Sequence, residues 1–431
     1  MKAAFISLGC AKNLVDSEFI LGFLEKSGIA IVNDPEKADV IFVNTCAFIE
    51  PAREETRETI AEMHAYGKKI VMLGCYAKRY RDRIQKEMPY VNKVVSLDEY
   101  PDLAQIMKDF FKDDSLSFAK LDYHNRMLTG NPYSSYVKIS EGCDNRCAYC
   151  AIPMIRGQFR SRPYKEIIDE CRLLIKNGAK EITLIGQDTT KYGTDLNDNV
   201  TLASLMKEIA AIENVFLVRV LYLYPDEVTD ELIEAMVSNE KIAPYFDLPI
   251  QHISTPLLKL MNRRGDENDI RALLKKIRDK KSDAIIRTTL IVGFPGETDA
   301  DYSKLADFVF ESGFDRLGAF MYSKEEGTKA FSMENMVLPE VMQNRYDNIM
   351  RIQRRVSRKQ NQKQVGLIHK TLVENYDPET GFYYGRSYAF APDDVDGYIV
   401  FKSKRELKMG EVVDVLIKEC IGYDLIGDEI G

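Results

Sequence analysis

Apolar and polar positions along the first 125 residues fall into a repeating unit. A short apolar run ("KAAFISLGC", then "ADVIFVNTC", then "KIVMLGC") ends each time in a cysteine and leads into a polar or helical segment. Segments of this kind read as buried strands alternating with helices. The first helix, "AKNLVDSEFILGFLEKSG", places Leu14, Ile20, Leu21 and Leu24 on one apolar stripe, the pattern of an amphipathic helix. Cys10, Cys46 and Cys75 are separated by 36 and 29 residues, the length of a βαβ unit. The pattern predicts a doubly wound parallel sheet over residues 1–125, with "VNKVVSLDEYPDLAQIMKDFF" supplying a fourth strand and helix.

Across residues 130–335 the alternation continues with longer strands. "SSYVKIS", "EITLIGQD", "NVFLVRVLYLYP", "YFDLPIQ", "AIIRTTLIVGFPG" and "RLGAFMYS" are separated by helical stretches. Six βα units in series predict a partial (β/α)6 barrel whose working face lies at the strands' C-terminal ends. Residues 336–364 form one long helical pattern rich in Arg, Lys and Gln, with no Gly or Pro after Pro339. Residues 365–431 turn to short strands with Gly-containing turns, the pattern of a small antiparallel β-barrel.

Composition narrows the class. With 431 residues, 45% hydrophobic and 29% charged, the chain is an ordinary globular protein with room for two or three cores. No apolar run approaches the roughly 18 residues needed to span a bilayer. The run from Ala3 to Leu8 is also shorter than the roughly 7–15 residues of a secretory segment. A cytoplasmic chain without a membrane partner is expected. The net charge of −8 does not favour nucleic acid as a partner of the whole chain, although a local basic patch would suffice for one.

In that setting the eight cysteines point to metal or catalytic roles rather than disulfides. His64, His124, His252 and His369 are the only histidines, none spaced from a cysteine pair as in a zinc finger. Cys10, Cys46 and Cys75 each end a parallel strand, so neighbouring strands would bring them to the sheet edge where open α/β sheets bind ligands. Filling of small core gaps by buried cysteines is the alternative. The second set, Cys143, Cys147 and Cys150 in "SEGCDNRCAYCAIP", lies on one loop at the barrel's working face. A disulfide would leave one cysteine over, and a structural zinc site would lack a ligand. A [4Fe–4S] cluster takes one cysteine per iron, so three leave one iron open to a chelating ligand.

C-x3-C-x2-C with an aromatic before its last cysteine, here Tyr149, resembles the motif of the radical S-adenosylmethionine enzymes. The six-strand pattern resembles their partial barrel. Joined to a three-cysteine N-terminal domain and a TRAM-like tail, the whole chain resembles the methylthiotransferases. "SLGCAKNLVDSE", "VNTCAFIEPAREE", "GCYAKRY" and "CAIPMIRGQFRSRP" are most similar to the branch that modifies ribosomal protein S12. The tRNA-modifying branch carries Gly-Cys-Gln-Met-Asn or Gly-Cys-Lys-Val-Asn in place of Gly9-Cys10-Ala11-Lys12-Asn13, and lacks the Phe48-Ile49 pair.

The resemblance implies two [4Fe–4S] clusters, on Cys143, Cys147 and Cys150 and on Cys10, Cys46 and Cys75, with S-adenosylmethionine bound at the first. It implies a 5′-deoxyadenosyl radical, sulfur carried at the second cluster, and a 3-methylthio-aspartate on S12 as product. An electron donor and a sulfur donor are implied as partners. Tyr149 and "GQD" (Gly186, Gln187, Asp188) are expected around S-adenosylmethionine, where related enzymes hold its amino group. A polar turn with an Asp helix N-cap would give the same three residues. Gly293 in "IVGFPGE" matches a stretch near the adenine, although a Gly-Pro-Gly turn has the same composition. Arg156, Arg160 and Arg162 are candidates to clamp a cofactor or substrate carboxylate, against a solvated basic loop. Cys171 and Cys420 read as structural, and His252 as a pocket residue. No catalytic side chain is assigned beyond the six cysteines.

Charge in the tail bears on the substrate. From Val365 to Gly431 there are 7 Lys and Arg against 13 Asp and Glu. A tail that grips an RNA backbone is basic, whereas an acidic one complements a basic ribosomal protein. A tRNA adenosine methylthiotransferase and a non-catalytic iron–sulfur carrier are the competing readings.

Overall fold

The computed structural model describes residues 1–392 and 396–431. Asp393 and Asp394 of the tail's acidic count lie outside them.

Strands β1 (Lys2–Ser7), β2 (Ala30–Ile31), β3 (Val40–Thr45), β4 (Lys69–Leu73) and β5 (Lys93–Ser96) form a parallel sheet in the order β2-β1-β3-β4-β5. Helices α1 (Ala11–Lys26), α2 (Glu50–Ala65), α3 (Gly74–Arg79), α4 (Arg81–Glu87) and α5 (Leu103–Phe111) cover it. Alternation along β3 divides the core. Val40 and Phe42 pack with Ile20 and Leu24 of α1 and Leu103 of α5, while Ile41 and Val43 pack with Ile60 of α2 and Ile84 of α4. Both faces being buried, the strand reads as an unbroken apolar run.

The expected exposed face of α1 is absent. Lys12, Asn13, Asp16, Ser17 and Glu18 are all buried, because α1 is sandwiched between its own sheet and the barrel. Its acids meet cations there: Asp16 pairs with Lys138 and Arg156, and Glu18 with Arg126.

The barrel opens with β6 (Ser134–Lys138), followed by a hairpin of β7 (Ser140–Glu141) and β8 (Arg160–Ser161) that encloses the short α6 (Ile152–Arg156). Then come α7 (Tyr164–Lys176), β9 (Glu181–Ile185), α8 (Leu202–Ala211), β10 (Leu217–Val220), α9 (Asp230–Ser238) and β11 (Tyr245–Asp247). α10 (Thr255–Leu260), α11 (Glu267–Lys280), β12 (Ile285–Val292), α12 (Asp299–Ser312) and β13 (Arg316–Met321) complete it. Six strands are parallel, ordered β10-β9-β6 and β11-β12-β13, and a Val218–Ile242 bridge joins the two halves. The arc stays open. α1 lies along its β6 edge, and α13 (Pro339–Gln362) packs against β13. Covering an edge in this way removes the unpaired backbone it would otherwise present.

The tail forms a closed barrel of β14 (Ile368–Asp377), β15 (Phe382–Arg386), β16 (Ile399–Lys402), β17 (Val412–Ile421) and β18 (Asp424–Glu429). One pair departs from the antiparallel expectation: β16 and β18 run parallel, since the barrel closes in the order β14-β15-β16-β18-β17. Phe390 and its neighbours plug the base of the half-barrel, packing with Tyr136, Leu217 and Tyr245. Arg219, wholly buried, is neutralised by Glu181 at 2.9 Å and donates to the Ser387 and Tyr388 carbonyls. The tail therefore occupies the strands' N-terminal end and leaves the C-terminal end free. Among the described residues no helix is long and apolar enough to cross a membrane.

Candidate metal centre

In the N-terminal sheet the strand order reverses between β1 and β3, which is where open α/β sheets bind ligands. Cys10 follows β1, Cys46 follows β3 and Cys75 is the second residue of α3 after β4, so the topology delivers all three to one edge. Asn13 binds the loops together. Its amide donates to the Leu8 carbonyl at 3.0 Å and the Thr45 carbonyl at 2.9 Å, and its Oδ1 accepts from Cys75 Sγ at 3.4 Å.

The three thiols differ electrostatically. The Cys10 sulfur is reachable by solvent yet stands in a crowded recess. Burial works against its thiolate, but the Lys12 ammonium, the Asn13 amide and Arg156 outweigh it and lower the pKa. Burial raises Cys46, and pushes Cys75 up to about 12 despite Arg156 beside it. Two of the three therefore become thiolates only by exchanging their protons for a metal.

The second set lies on the loop after β7. Ala148, between its second and third cysteines, is pinned from elsewhere in the barrel, donating N–H to the Met261 carbonyl at 2.8 Å and accepting from Ala330 N at 2.7 Å. Each sulfur has a donor nearby: Asn145 Nδ2 at 3.4 Å from Cys143, the Ile152 amide at 3.4 Å from Cys150, and Arg263 at 3.9 Å from Cys147. Tyr224 Oη stands 3.7 Å from Cys147, and the Arg263 guanidinium lies 4.1 Å over the Tyr224 ring. Burial pushes Cys143 up to about 11 and Cys150 up to about 12.

Among the described residues no three His, Cys, Asp or Glu side chains gather as one metal ion requires. A sulfur-only set, each sulfur with its own donor, fits instead a polynuclear cluster that meets one thiolate per iron.

The residues expected around the cofactor divide. Tyr149 packs edge-on to Phe294, ring centres 6.4 Å apart, beside the cysteine loop. Gln187 Nε2 donates to Glu141 at 3.1 Å, and its buried Oε1 has no hydrogen-bond partner among the described residues. Asp188 accepts from Asn145 Nδ2 at 2.6 Å and from the Thr190 amide at 3.1 Å. Burial, followed by the Glu227 charge, pushes it up to about 6. Of the alternative, the polar turn is present and the helix N-cap is not, since residues 187–198 make bends and turns and the next helix is α8. Gly186 lies against the Ser140 hydroxyl.

Packing adds to the reading of Gly293 and corrects that of Arg156. Gly293 (φ +76°) has no open space beside it, because a β-carbon there would collide with Met342 of α13. A glycine is required there by the packing of α13, whatever else its backbone meets. Arg156 does not clamp a carboxylate at the second cysteine set, nor is it solvated. It is buried on Asp16 at 2.7 Å, Glu141 at 3.2 Å and Cys75 Sγ at 3.4 Å, because α6 is packed into the N-terminal domain. Arg162 is likewise committed, to Glu170 at 2.7 Å, and Arg160 is exposed. His252 is wholly buried, accepting from the Ser254 amide at 3.0 Å, and lines none of the cavities described. Cys171 is in the helix-side core of the barrel, and Cys420 is half-buried in β17.

Other site residues carry no local sequence signal. Glu325, after β13, is buried between Arg53 and Arg79, and Arg79 also donates to the Ala47 carbonyl at 2.7 Å, next to Cys46. Lys12 stands 3.3 Å over the ring of Tyr222, a residue held at φ +65° on the barrel's working face. A cleft of about 820 Å³, lined by Asp16, Tyr100, Glu141, Arg156 and Arg160, opens beside Arg156 between the two domains.

A half-barrel with a three-cysteine loop at its C-terminal face, joined to a sheet with three converging cysteines and a small β-barrel tail, defines a radical S-adenosylmethionine enzyme of the methylthiotransferase type. The profile of the radical SAM superfamily matches residues 137–309, that of Uncharacterized protein family UPF0004 residues 2–96, and that of the TRAM domain residues 365–430. The chain belongs to the ribosomal protein uS12 methylthiotransferase family. It is 45% identical to ribosomal protein uS12 methylthiotransferase RimO of Acetivibrio thermocellus over 100% of this chain and 98% of that protein. It is 44% identical to RimO of Clostridium acetobutylicum over 99% and 98%. Among solved structures, the radical S-adenosylmethionine methyltransferase TsrM of Kitasatospora setae shares the fold with a TM-score of 0.57 at 13% identity, over 76% of each chain. Membership of the radical SAM superfamily entails one [4Fe–4S] cluster and S-adenosylmethionine.

Proposed function

We propose that the protein replaces a hydrogen on the β-carbon of an aspartate in ribosomal protein S12 with a methylthio group. Cys143, Cys147 and Cys150 would hold the cluster that binds S-adenosylmethionine, and Cys10, Cys46 and Cys75 a second [4Fe–4S] cluster that carries sulfur. When bound, these groups supply the electron, the 5′-deoxyadenosyl radical, the sulfur and the methyl group.

The chain's own residues bind and orient. Gln187 Oε1 and Asp188 present acceptors beside the Cys143 loop, suited to the ammonium of an amino-acid cofactor. Arg263, on the other side of that loop, offers a cation to its carboxylate. Tyr149 and Phe294 form an apolar wall that limits water. Glu325, through Arg53 and Arg79, holds the Cys46 loop against the barrel. An electron donor and a sulfur donor are required partners, and a substrate made in the cytoplasm puts the enzyme there. We assign residues 1–125, 130–335, 336–364 and 365–431 to the sulfur-carrying domain, the radical barrel, a linking helix and the tail.

The observation that carries this reading is the joining of two cysteine triplets by one short helix, α6, which starts beside Cys150 and ends on Cys75. The acidic tail supports a basic protein as substrate.

The test is an anaerobic assay of reconstituted protein with S-adenosylmethionine, a reductant and a sulfur source, offering S12 and bulk tRNA in parallel to mass spectrometry. A mass gain on an S12 aspartate with tRNA untouched is expected. Modification of tRNA adenosine alone would overturn the substrate and leave the radical chemistry standing.

A further inference from the structure

We propose that Arg156 is a positioning residue shared by the two cysteine sites, holding the Cys75 sulfur by a charge-assisted hydrogen bond and raising the reduction potential of the cluster Cys75 would ligate. The proposal rests on the reading that Cys10, Cys46 and Cys75 hold such a cluster.

Arg156 comes from the barrel, yet its guanidinium lies in the N-terminal domain, 3.4 Å from Cys75 Sγ. It cannot swing away. Its Nη1 is held by Asp16 at 2.7 Å and by Glu141 at 3.2 Å, and its Nη2 is shared between Cys75 and Asn13 Oδ1. Only 2% of the side chain is exposed, so water does not compete for the sulfur. Lys138 pairs with the same two carboxylates. Two cations thus meet two anions, and the group carries no net charge to desolvate alone. A donor to a ligand sulfur stabilises the reduced, more negative cluster and raises its potential.

The link to the second site is covalent and short. α6 spans five residues, about 7 Å at the helical rise. The amide of its first residue, Ile152, donates to Cys150 Sγ. Ala151 and Ile155 are buried in the same core as Ala47, Cys75 and Tyr76. The two cysteine loops are therefore joined through one short packed element.

The test uses the full chain with Cys143, Cys147 and Cys150 all replaced by Ala, so that only the N-terminal site loads. Arg156, R156K and R156M versions are reconstituted anaerobically, their iron is counted, and their potentials are measured by EPR-monitored titration. Iron is expected in all three. The potential should become more negative in R156K, which keeps the charge but loses the fork, and further so in R156M. R156K alone decides if R156M does not fold. Equal potentials with iron present overturn the role of Arg156 and leave the second cluster intact. Absence of iron from the version with Arg156 overturns the second cluster itself.

Discussion

Gly9 and Cys46 are pressed together at the sheet edge: a β-carbon on Gly9 would stand 2.9 Å from Cys46 Cβ and 3.1 Å from its sulfur. Gly9 also has φ +91°, where L side chains are strained. G9A should therefore displace the Cys46 loop. We expect loss of iron from the N-terminal site and destabilisation of at least about 1 kcal/mol, read by iron analysis and denaturant unfolding. Full iron in G9A would mean that the loop yields without moving its sulfur.

Each triplet should load independently. C147A is expected to lose roughly half the reconstituted iron, and C46A likewise, since each of the two clusters proposed would have one cysteine per ligated iron. C171A and C420A should keep all of it, because neither side chain lies at either site. Iron counts on the four variants decide this, and a C420A chain lacking iron would contradict the assignment.

Glu325 pairs with two arginines from a domain more than two hundred residues away in sequence. E325Q leaves Arg53 with Glu50 and Arg79 buried with backbone carbonyls only, a change that costs about 3 kcal/mol or more. The N-terminal domain should then open from the barrel, seen as faster proteolysis between the domains. Glu326 next to it pairs with Arg83 at the surface, and E326Q should behave as wild type.

His369 in the tail is buried between Ser387 Oγ at 2.9 Å and Gln364 at 3.0 Å. Burial lowers its pKa to about 4, below the ordinary 6.5. The folded state therefore favours the neutral ring. Its contribution is whole above pH 6.5 and is lost as pH falls through 4, by up to about 3 kcal/mol. Unfolding midpoints of wild type and H369Q at pH 7 and pH 4 test this, with the wild type expected to fall further.

The sequence by itself determined what depends on local geometry. Periodicity marked the parallel strands and the closed tail, because one or two buried faces impose their own spacing of apolar residues. The cysteines were legible for a related reason: three sit within eight residues of one loop, and three end strands that the βαβ rule makes parallel. What depends on how domains dock was not legible. The polar face of α1 looked solvated, yet it is buried against the barrel, where Lys138 and Arg126 receive its acids. That Gly293 seats Met342 of α13 was equally hidden. Arg156 stands six residues after Cys150 and serves Cys75. Long charged side chains find partners by proximity in space, and only tertiary packing decides which of many carboxylates, or which sulfur, comes within reach.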